Sequence, residues 1–171
     1  KLLNKIQFDK LENSEKFNPD KINFYLAKNS NKICELNISD FNTENCKYTT
    51  LKRSSLIDFL KKDIEKEIKF NHTISTIEQQ DQIVKIAFEN NEAYEFDYLI
   101  ISDGVFSKSK NLLSKNKIQP KYDDTLAIRG IIPSSSNIAD KKNISLFLGS
   151  NFHYVIYPVS PDGDLNFIAV M

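Results

Sequence analysis

The sequence predicts a mixed α/β fold of the α+β kind, and three patterns lead to this prediction. Apolar residues recur with the 3.6-residue period of a half-buried helix from Arg53 to Ile68. Tyr98 to Ile101 is a continuous apolar run followed by Ser-Asp-Gly, which is typical of a strand buried on both faces of a parallel sheet. The last third of the chain has short β-rich segments separated by turn signals, as antiparallel sheets do.

The composition limits the classes of protein to which the chain can belong. Its 171 residues suffice for one domain or slightly more, and 23 basic residues balance 23 acidic ones, so no overall basic field attracts nucleic acid. No stretch reaches the roughly 18 apolar residues that a membrane span needs. Cys34 and Cys46 do not form a disulfide framework, and with two histidines they do not suggest a metal site. We therefore expect a cytoplasmic protein that binds neither nucleic acid nor metal.

Turn residues divide the first part of the chain. Lys1 to Phe8 is predicted to be the end of an amphipathic helix. Lys21 to Ala27 and Ile33 to Ile38 alternate in polarity on either side of Asn-Ser-Asn, which predicts a β-hairpin. The hydroxyl of Thr50 or Ser54 can cap the central helix.

The middle of the chain contains a candidate ligand site. His72 to Ile77 and Gln82 to Phe88 are strand-like segments joined by a turn. The apolar run after them delivers Asp103 and Gly104 to the carboxyl end of a strand, where parallel sheets bind ligands. An ionised Asp accepts hydrogen bonds from a ribose or from backbone amides, glycine lets the backbone approach closely, and Ser107 can cap a short helix. A structural Asp-Gly turn explains the same residues, so both interpretations stay open at this point.

The remaining third is predicted to form an antiparallel meander of four strands. These are Thr125 to Ile132, Ile144 to Leu148, His153 to Tyr157 and Leu165 to Val170. Because this part and the first hairpin are both antiparallel and punctuated by turns, we expect residues 22–38 and 120–171 to join one antiparallel sheet.

Five motifs occur in the order in which FAD-dependent aromatic hydroxylases have them. The motifs are the Asp-Gly string Leu99 to Ser107, the arginine and spaced leucines of Leu51 to Leu60, the hairpin Ile74 to Phe88, the stretch Ala127 to Pro133, and the strand region Leu148 to Val159. Together they cover nearly the whole chain. The chain thus resembles the flavoprotein monooxygenases that include the para-hydroxybenzoate, salicylate and ubiquinone-biosynthesis hydroxylases.

The resemblance implies part of a Rossmann-like domain that binds FAD and NAD(P)H, together with an antiparallel substrate-domain sheet. It assigns residues 1–20 to the end of a helix of the FAD-binding domain and 21–45 to a substrate-domain hairpin. Residues 46–117 fall in the FAD-binding domain with the Asp-Gly motif, and 118–171 in an incomplete substrate-domain sheet. The family's glycine-rich phosphate loop is missing from the sequence. We therefore expect a central fragment of a longer enzyme, inactive alone and binding FAD poorly or not at all.

The resemblance gives a cofactor role to four residues. Arg53 matches an arginine near the FAD phosphates, and its planar guanidinium offers a geometry that lysine lacks. Asp103 and Gly104 match residues that contact FAD and are linked to NAD(P)H binding, and Ile74 matches a residue on the adenine side. A surface arginine is the alternative for Arg53, and a β-branched core residue explains Ile74 equally well.

The substrate pocket implied by the resemblance contains Arg129, His153 and Tyr157. His153 is the candidate catalytic residue, because an imidazole with an ordinary pKa of about 6.5 can take a proton from a phenol at neutral pH. Tyr154 is a candidate for the same pocket as Tyr157, although aromatic residues on strands are more often core. A half-buried strand histidine bonded to backbone is the alternative for His153.

The activity that the resemblance implies is hydroxylation of a small aromatic, phenolic substrate with FAD, NAD(P)H and O₂. A FAD-dependent isoprenoid reductase or epoxidase of the same fold is one alternative, and a non-catalytic α/β binding domain is another. The identity of the substrate, the choice between NADH and NADPH, and the oligomeric state stay open.

Overall fold

The structure, a computed structural model, describes residues 2–44, 46–114, 119–137 and 140–171. The chain divides into two compact units, the first formed by Lys1–Ile64 and Asp124–Met171 and the second by Glu65–Asp123. The strands are β1 (Lys16–Phe17), β2 (Lys21–Leu26), β3 (Lys32–Asn37), β4 (Thr50–Leu51), β5 (Ile74–Gln80), β6 (Ile83–Phe88), β7 (Ala93–Phe96), β8 (Ala127–Ile132), β9 (Ile144–Leu148), β10 (His153–Pro158) and β11 (Leu165–Val170). The α-helices are α1 (Arg53–Lys61) and α2 (Ser109–Leu113).

The first unit is built on a six-stranded sheet with the strand order β3-β2-β9-β10-β11-β8. The prediction that the first hairpin and the C-terminal strands share one sheet is therefore confirmed. The sheet is mixed rather than wholly antiparallel, because β2 and β9 run parallel. Side chains hold these two strands in register: the Asn143 Oδ1 atom accepts the Lys21 amide at 3.1 Å, and the Asn23 Nδ2 atom donates to Asp140 Oδ2 at 3.2 Å.

The C-terminal strands are not arranged in chain order. β9, β10 and β11 form an antiparallel meander, but β8 pairs with β11 at the far edge of the sheet. The simple four-strand meander that the sequence suggests is thus wrong for β8. Turn signals mark where strands end, but the pairing partner of each strand depends on packing across the whole sheet.

The core of the first unit combines residues of the six-stranded sheet with residues of the N-terminal segment and of the loops that follow strands. Its buried apolar residues are Phe8, Ile38, Ile144, Val159 and Leu165. Phe8 packs edge-to-face against Phe59 of α1, with ring centroids 5.5 Å apart. Full burial of a side chain of this size stabilises the fold by roughly 1.5–3 kcal/mol. The Phe8–Phe59 contact therefore joins α1 to the N-terminal segment.

The predicted N-terminal helix consists instead of two 3-10 turns, Leu3–Ile6 and Phe8–Lys10. Gln7 between them has a left-handed backbone with φ 64°. Leu2 and Ile6 are exposed, so no apolar face packs along this segment to stabilise a longer helix. Lys1 lies outside the described residues.

The central helix is also shorter than the periodicity predicts. α1 ends at Lys61, and a 3-10 turn at Glu65–Glu67 follows. Ile64 continues the apolar period but is exposed, so the segment after Lys61 lacks the packing that would stabilise further helical turns. The predicted caps are wrong: Lys52 is the N-cap without a side-chain hydrogen bond, and Thr50 instead donates to the Pro158 carbonyl at 2.5 Å.

The second unit contains the antiparallel sheet β5-β6-β7, whose central residue Ile86 is buried. The predicted β5–β6 hairpin is confirmed, with Asp81 in the turn at φ 54°. α2 packs against β5. None of the helices in the described parts of the chain combines the length and hydropathy that crossing a membrane requires.

The predicted buried strand at Tyr98 to Ile101 is wrong. These residues adopt no regular structure, and Tyr98 and Ile100 are 89% and 88% exposed. A strand needs a neighbour to pair with its N–H and C=O groups, and no strand of the described residues pairs with this run. The domain boundary predicted between residues 117 and 118 lies outside the described residues, and the assignment of 46–117 to a FAD-binding domain stays a prediction.

Candidate functional site

An open crevice of about 600 Å³ lies beside Asp103 in the second unit. It is lined by Ile101, Asp103, Gly104, Ser107, Lys110, Leu113 and Ser114. Asp103 and Gly104 are both exposed, so the Asp-Gly motif is open to a ligand and does not lie inside packed protein. The crevice combines apolar side chains with one carboxylate and one ammonium group.

The carboxylate of Asp103 is held in its ionised form. Its Oδ2 atom accepts the backbone amide of Ser109 at 3.2 Å. The Ser107 hydroxyl, followed by the Ser109 amide and hydroxyl, lowers the pKa of Asp103 below its ordinary value, because these donors stabilise the charged form. Ser107 and Ser109 are themselves buried, so the donors that stabilise the carboxylate are held in place by packing. Asp103 can therefore accept a hydrogen bond from a ligand hydroxyl at neutral pH.

Gly104 sets the direction of the chain at the crevice. Its φ of +83° lies in the left-handed region, and a Cβ atom there would meet no other atom within 4 Å. The glycine is thus required by the backbone torsion and not by crowding. The N-cap residue of α2 is Lys108, which makes no side-chain cap bond, so Ser107 does not occupy the predicted cap position. Its hydroxyl nevertheless accepts the Lys110 amide at 3.0 Å in the first turn of α2, and Lys110 Nζ donates to the Val105 carbonyl at 3.0 Å.

The other two predicted cofactor residues are not among those that line this crevice. Ile74 begins β5 in the second unit, is half-buried and pairs with Phe88. Arg53 is the exposed first residue of α1, in the first unit. Within the described residues, the structure thus brings Asp103 and Gly104 together at one crevice, and the roles predicted for Arg53 and Ile74 stay predictions.

The three predicted substrate residues share one face of the six-stranded sheet. Arg129 pairs with Ile168, which in turn pairs with Val155. On β10, His153 lies two positions before Val155 and Tyr157 two positions after it. Side-chain alternation therefore places both on the same face as Val155. We call this the His153 face. His153 and Tyr157 are half-buried, whereas Arg129 is exposed on the edge strand.

Tyr157 is the member of this face whose ionisation is perturbed. Burial raises the pKa of its phenol above the ordinary value of 10.0, and Tyr48 adds to the rise. Arg129 and Asn166 oppose the rise by favouring the phenolate. Tyr157 is therefore a neutral hydrogen-bonding group at physiological pH.

The opposite face of the sheet carries a row of stacked aromatic rings. Tyr25 stacks on Phe147 at 5.0 Å between centroids, Phe147 on Tyr154 at 4.4 Å, and Tyr154 lies parallel to Phe152 at 6.5 Å. We call these four residues the aromatic row. Tyr154 therefore cannot line one pocket with Tyr157, and that expectation is wrong: the two residues are an odd number of positions apart on a strand and point to opposite faces.

Sequence reasoning missed Tyr25, Phe147 and Phe152 as candidate site residues. Their rings are partly exposed, and their nearly parallel planes offer a flat apolar surface. Period-two alternation along β10 could have separated the two faces in advance. The alignment of the rings could not have been foreseen, since it depends on the register between β2, β9 and β10.

The architecture of the chain is the fold of FAD-dependent hydroxylases. One similar solved structure is HpxO from Klebsiella pneumoniae complexed with FAD and uric acid, at 15% identity and a TM-score of 0.77, with 93% of this chain and 41% of that chain covered. The 2,6-dihydroxypyridine-3-hydroxylase from Arthrobacter nicotinovorans is 16% identical with a TM-score of 0.75, covering 99% of this chain and 44% of that one. CtdE in complex with FAD and a substrate is 15% identical with a TM-score of 0.80, and the match covers 96% of this chain and 42% of that one.

These similarities show the fold, including the predicted mixed α/β class. The chain spans 41%, 44% and 42% of the lengths of the three structures. No protein-family model matches the sequence. No curated protein matches it either.

Proposed function

We propose that the chain is part of a cytoplasmic FAD-dependent monooxygenase that hydroxylates a small aromatic, phenolic substrate with NAD(P)H and O₂. The observation that carries this proposal is the fold, which follows FAD-bound hydroxylase structures over 93% and 96% of the chain. The open position of the Asp-Gly motif supports it further, because a purely structural turn has no need of a crevice beside an ionised carboxylate.

The residues at the crevice fit a nucleotide cofactor. The Asp103 carboxylate is ionised and exposed, so it can accept hydrogen bonds from sugar hydroxyls of FAD, and Gly104 lets the backbone approach the cofactor closely. Arg53 and Ile74 are the further residues that we propose to contact FAD, Arg53 near the phosphates. When bound, FAD would be reduced by NAD(P)H and would then activate O₂ for transfer to the substrate.

The six-stranded sheet supplies the groups that we propose to handle the substrate. A ring nitrogen of His153 accepts the phenolic proton, which makes the ring more electron-rich and easier to oxygenate. Tyr157 is neutral and can hydrogen-bond the substrate, while Arg129 on the same face attracts a negatively charged group. The aromatic row is the competing surface, since stacked rings favour a planar ligand.

The cofactor assignment is tested by measuring FAD affinity in the protein that contains this chain. Asp103→Asn removes the charge and is expected to weaken FAD binding by roughly tenfold or more, because a hydrogen bond to a charged acceptor is stronger than one to a neutral amide oxygen. Asp97→Asn is the matched control: Asp97 is exposed in the same unit but does not line the crevice. Equal FAD affinity in the two variants would remove Asp103 from the site. We also expect the 171-residue chain alone to bind FAD poorly or not at all, and tight stoichiometric binding would contradict this.

The substrate assignment is tested by NAD(P)H consumption and product analysis of the same protein with phenolic and isoprenoid compounds. Ring hydroxylation of a phenol is expected, whereas turnover of isoprenoids alone would favour the reductase or epoxidase alternative. His153→Gln is expected to lower kcat, because the glutamine amide cannot take up the phenolic proton. Tyr154→Leu is the matched variant on the opposite face. A loss of substrate affinity in Tyr154→Leu with a normal His153→Gln enzyme would transfer the substrate site to the aromatic row.

A further inference from the structure

A chain of hydrogen-bonded charged and polar groups lies on the three-stranded sheet of the second unit, outside the lining of the Asp103 crevice. We call it the His72 cluster; its members are Lys69, His72, Glu92 and Tyr94. His72 precedes β5, Glu92 lies in the turn between β6 and β7, and Tyr94 is on β7. The cluster therefore connects the segment before β5 to the turn between β6 and β7.

Both ring nitrogens of His72 face acceptor oxygens. Nδ1 lies 2.6 Å from the Phe70 carbonyl oxygen, and Nε2 lies 3.1 Å from Glu92 Oε2. A neutral imidazole carries a single N–H, so one of its nitrogens would turn a lone pair toward an oxygen. Only the doubly protonated imidazolium donates to both acceptors. The geometry is thus complete only when His72 is charged.

The acceptor Glu92 is held in place by further donors. Its Oε2 atom accepts the hydroxyl of Tyr94, and its Oε1 atom accepts Asn90 Nδ2 at 3.2 Å. Lys69 Nζ donates to the Tyr94 hydroxyl and lies 4.0 Å from the centre of that ring. The carboxylate therefore cannot turn away from His72 without breaking these bonds.

Phe88 provides an apolar support for the cluster. Its ring meets His72 edge-to-face at 5.1 Å and Tyr94 at 5.8 Å. The side chain of His72 is only 17% exposed, so water only partly replaces a lost partner. The protonation state of His72 must therefore affect how firmly the two chain segments are joined.

We propose that His72 is a pH-sensitive latch: its protonated ring ties the segment before β5 to the β6–β7 turn, and its deprotonation loosens this end of the sheet. The backbone bond from the Glu89 amide to the Thr73 carbonyl, 2.9 Å long, lies directly beside the latch and reports its opening. The latch is independent of the proposed enzymatic activity.

The direction of the pH effect follows from the groups around the ring. The Phe70 carbonyl, and after it Glu92, raise the pKa of His72 above its ordinary value of 6.5, while Lys69 opposes them. The neighbouring Tyr94 acts through Glu92, whose pKa it lowers by hydrogen bonding. Because the folded-state pKa is raised, the stabilisation is complete below pH 6.5 and is lost as the pH rises through the higher folded-state value.

The first measurement is the titration of the His72 ring by NMR in the intact chain, where His153 is the only other histidine. We expect the pKa of His72 to exceed 6.5 and Glu92→Gln to lower it. Glu95→Gln is the matched control, because Glu95 is on the same sheet but pairs with Lys85 at 3.6 Å, and it should leave His72 unchanged. A pKa at or below 6.5, or equal effects of the two variants, overturns the proposal.

The second measurement is hydrogen exchange of the Glu89 amide between about pH 5 and pH 8, corrected for the intrinsic exchange rate. As the pH rises over this range, the protection of the Glu89 amide is expected to fall. The total fall is about tenfold for each unit by which the pKa of His72 in the closed state exceeds its pKa in the open state. His72→Gln should remove this pH dependence while the Ile86 amide, in the middle of β6, keeps its wild-type profile. Protection of the Glu89 amide that is constant with pH in the unsubstituted chain would refute the latch.

Discussion

Replacing Thr50 with valine tests how β4 is attached to the six-stranded sheet. Thr50 is 8% exposed, and its hydroxyl donates to the Pro158 carbonyl at 2.5 Å, 108 positions along the chain. Pro158 is itself among the fully buried residues. Valine has nearly the shape of threonine but no donor, so Thr50→Val leaves the carbonyl buried without this partner.

The size of the effect follows from the burial of both partners. An unsatisfied buried acceptor costs about 1–3 kcal/mol, and the added methyl group of valine recovers part of this. We therefore expect the free energy of unfolding to fall by about 1–2 kcal/mol. With a urea m-value of about 2 kcal/mol per molar, the unfolding midpoint should move down by about 0.5–1 M.

The assay is urea unfolding of the chain, monitored by tyrosine fluorescence. It compares Thr50→Val with two companion variants. Thr50→Ser keeps the hydroxyl and should remain closer to the unsubstituted chain than Thr50→Val. Thr43→Val changes an exposed threonine and should shift stability by less than about 0.5 kcal/mol. If Thr50→Val unfolds at the same midpoint as Thr43→Val, the buried hydrogen bond is not what holds β4 to β10.

Three further predictions concern charges and backbone in the first unit. Hydrogen bonds from two lysines lower the pKa of Glu35 to about 2, so NMR titration should find it ionised far below its ordinary 4.5, and the stabilisation is lost as the pH falls from 4.5 to about 2. Gly163→Ala should lower stability by about 1 kcal/mol in urea unfolding, because φ is +89° and alanine disfavours that region. The pKa of Asp164 is lowered by Lys52, 2.7 Å away, and by the Ser134 amide, so its stabilisation is lost as the pH falls below 3.8; Asp164→Asn should flatten this acid limb of the stability curve.

The strands were predictable because their signals are local, whereas their pairing was not. β9 and β11 have the predicted bounds, since alternating apolar residues between turn residues define a strand within a few positions. The parallel partner of β9 is β2, more than a hundred residues earlier, and its register is held by Asn143 and Asn23. Nothing near either asparagine in the sequence identifies its partner.

The apolar run before Asp103 shows how a correct local signal can give the wrong structure. Tyr98 to Ile101 has the composition of a doubly buried strand, yet no strand of the described residues pairs with it, and Tyr98 is 89% exposed. Composition records the environment that a segment favours, and pairing decides the conformation that it adopts. The electrostatics of Asp103 were easier to anticipate, because its donors Ser107 and Ser109 lie within six residues of it.

The two faces of β10 show which part of a candidate site needs three-dimensional information. Alternation alone separates His153 and Tyr157 from Tyr154, so a sequence can exclude a pocket that contains both tyrosines. It cannot tell which face meets a ligand, because that depends on what the neighbouring strands contribute. Register adds Arg129 to the His153 face and Phe147 to the opposite one. The first set suits proton transfer and the second suits stacking, so comparing His153→Gln with Tyr154→Leu tests the chemistry of the site together with its location.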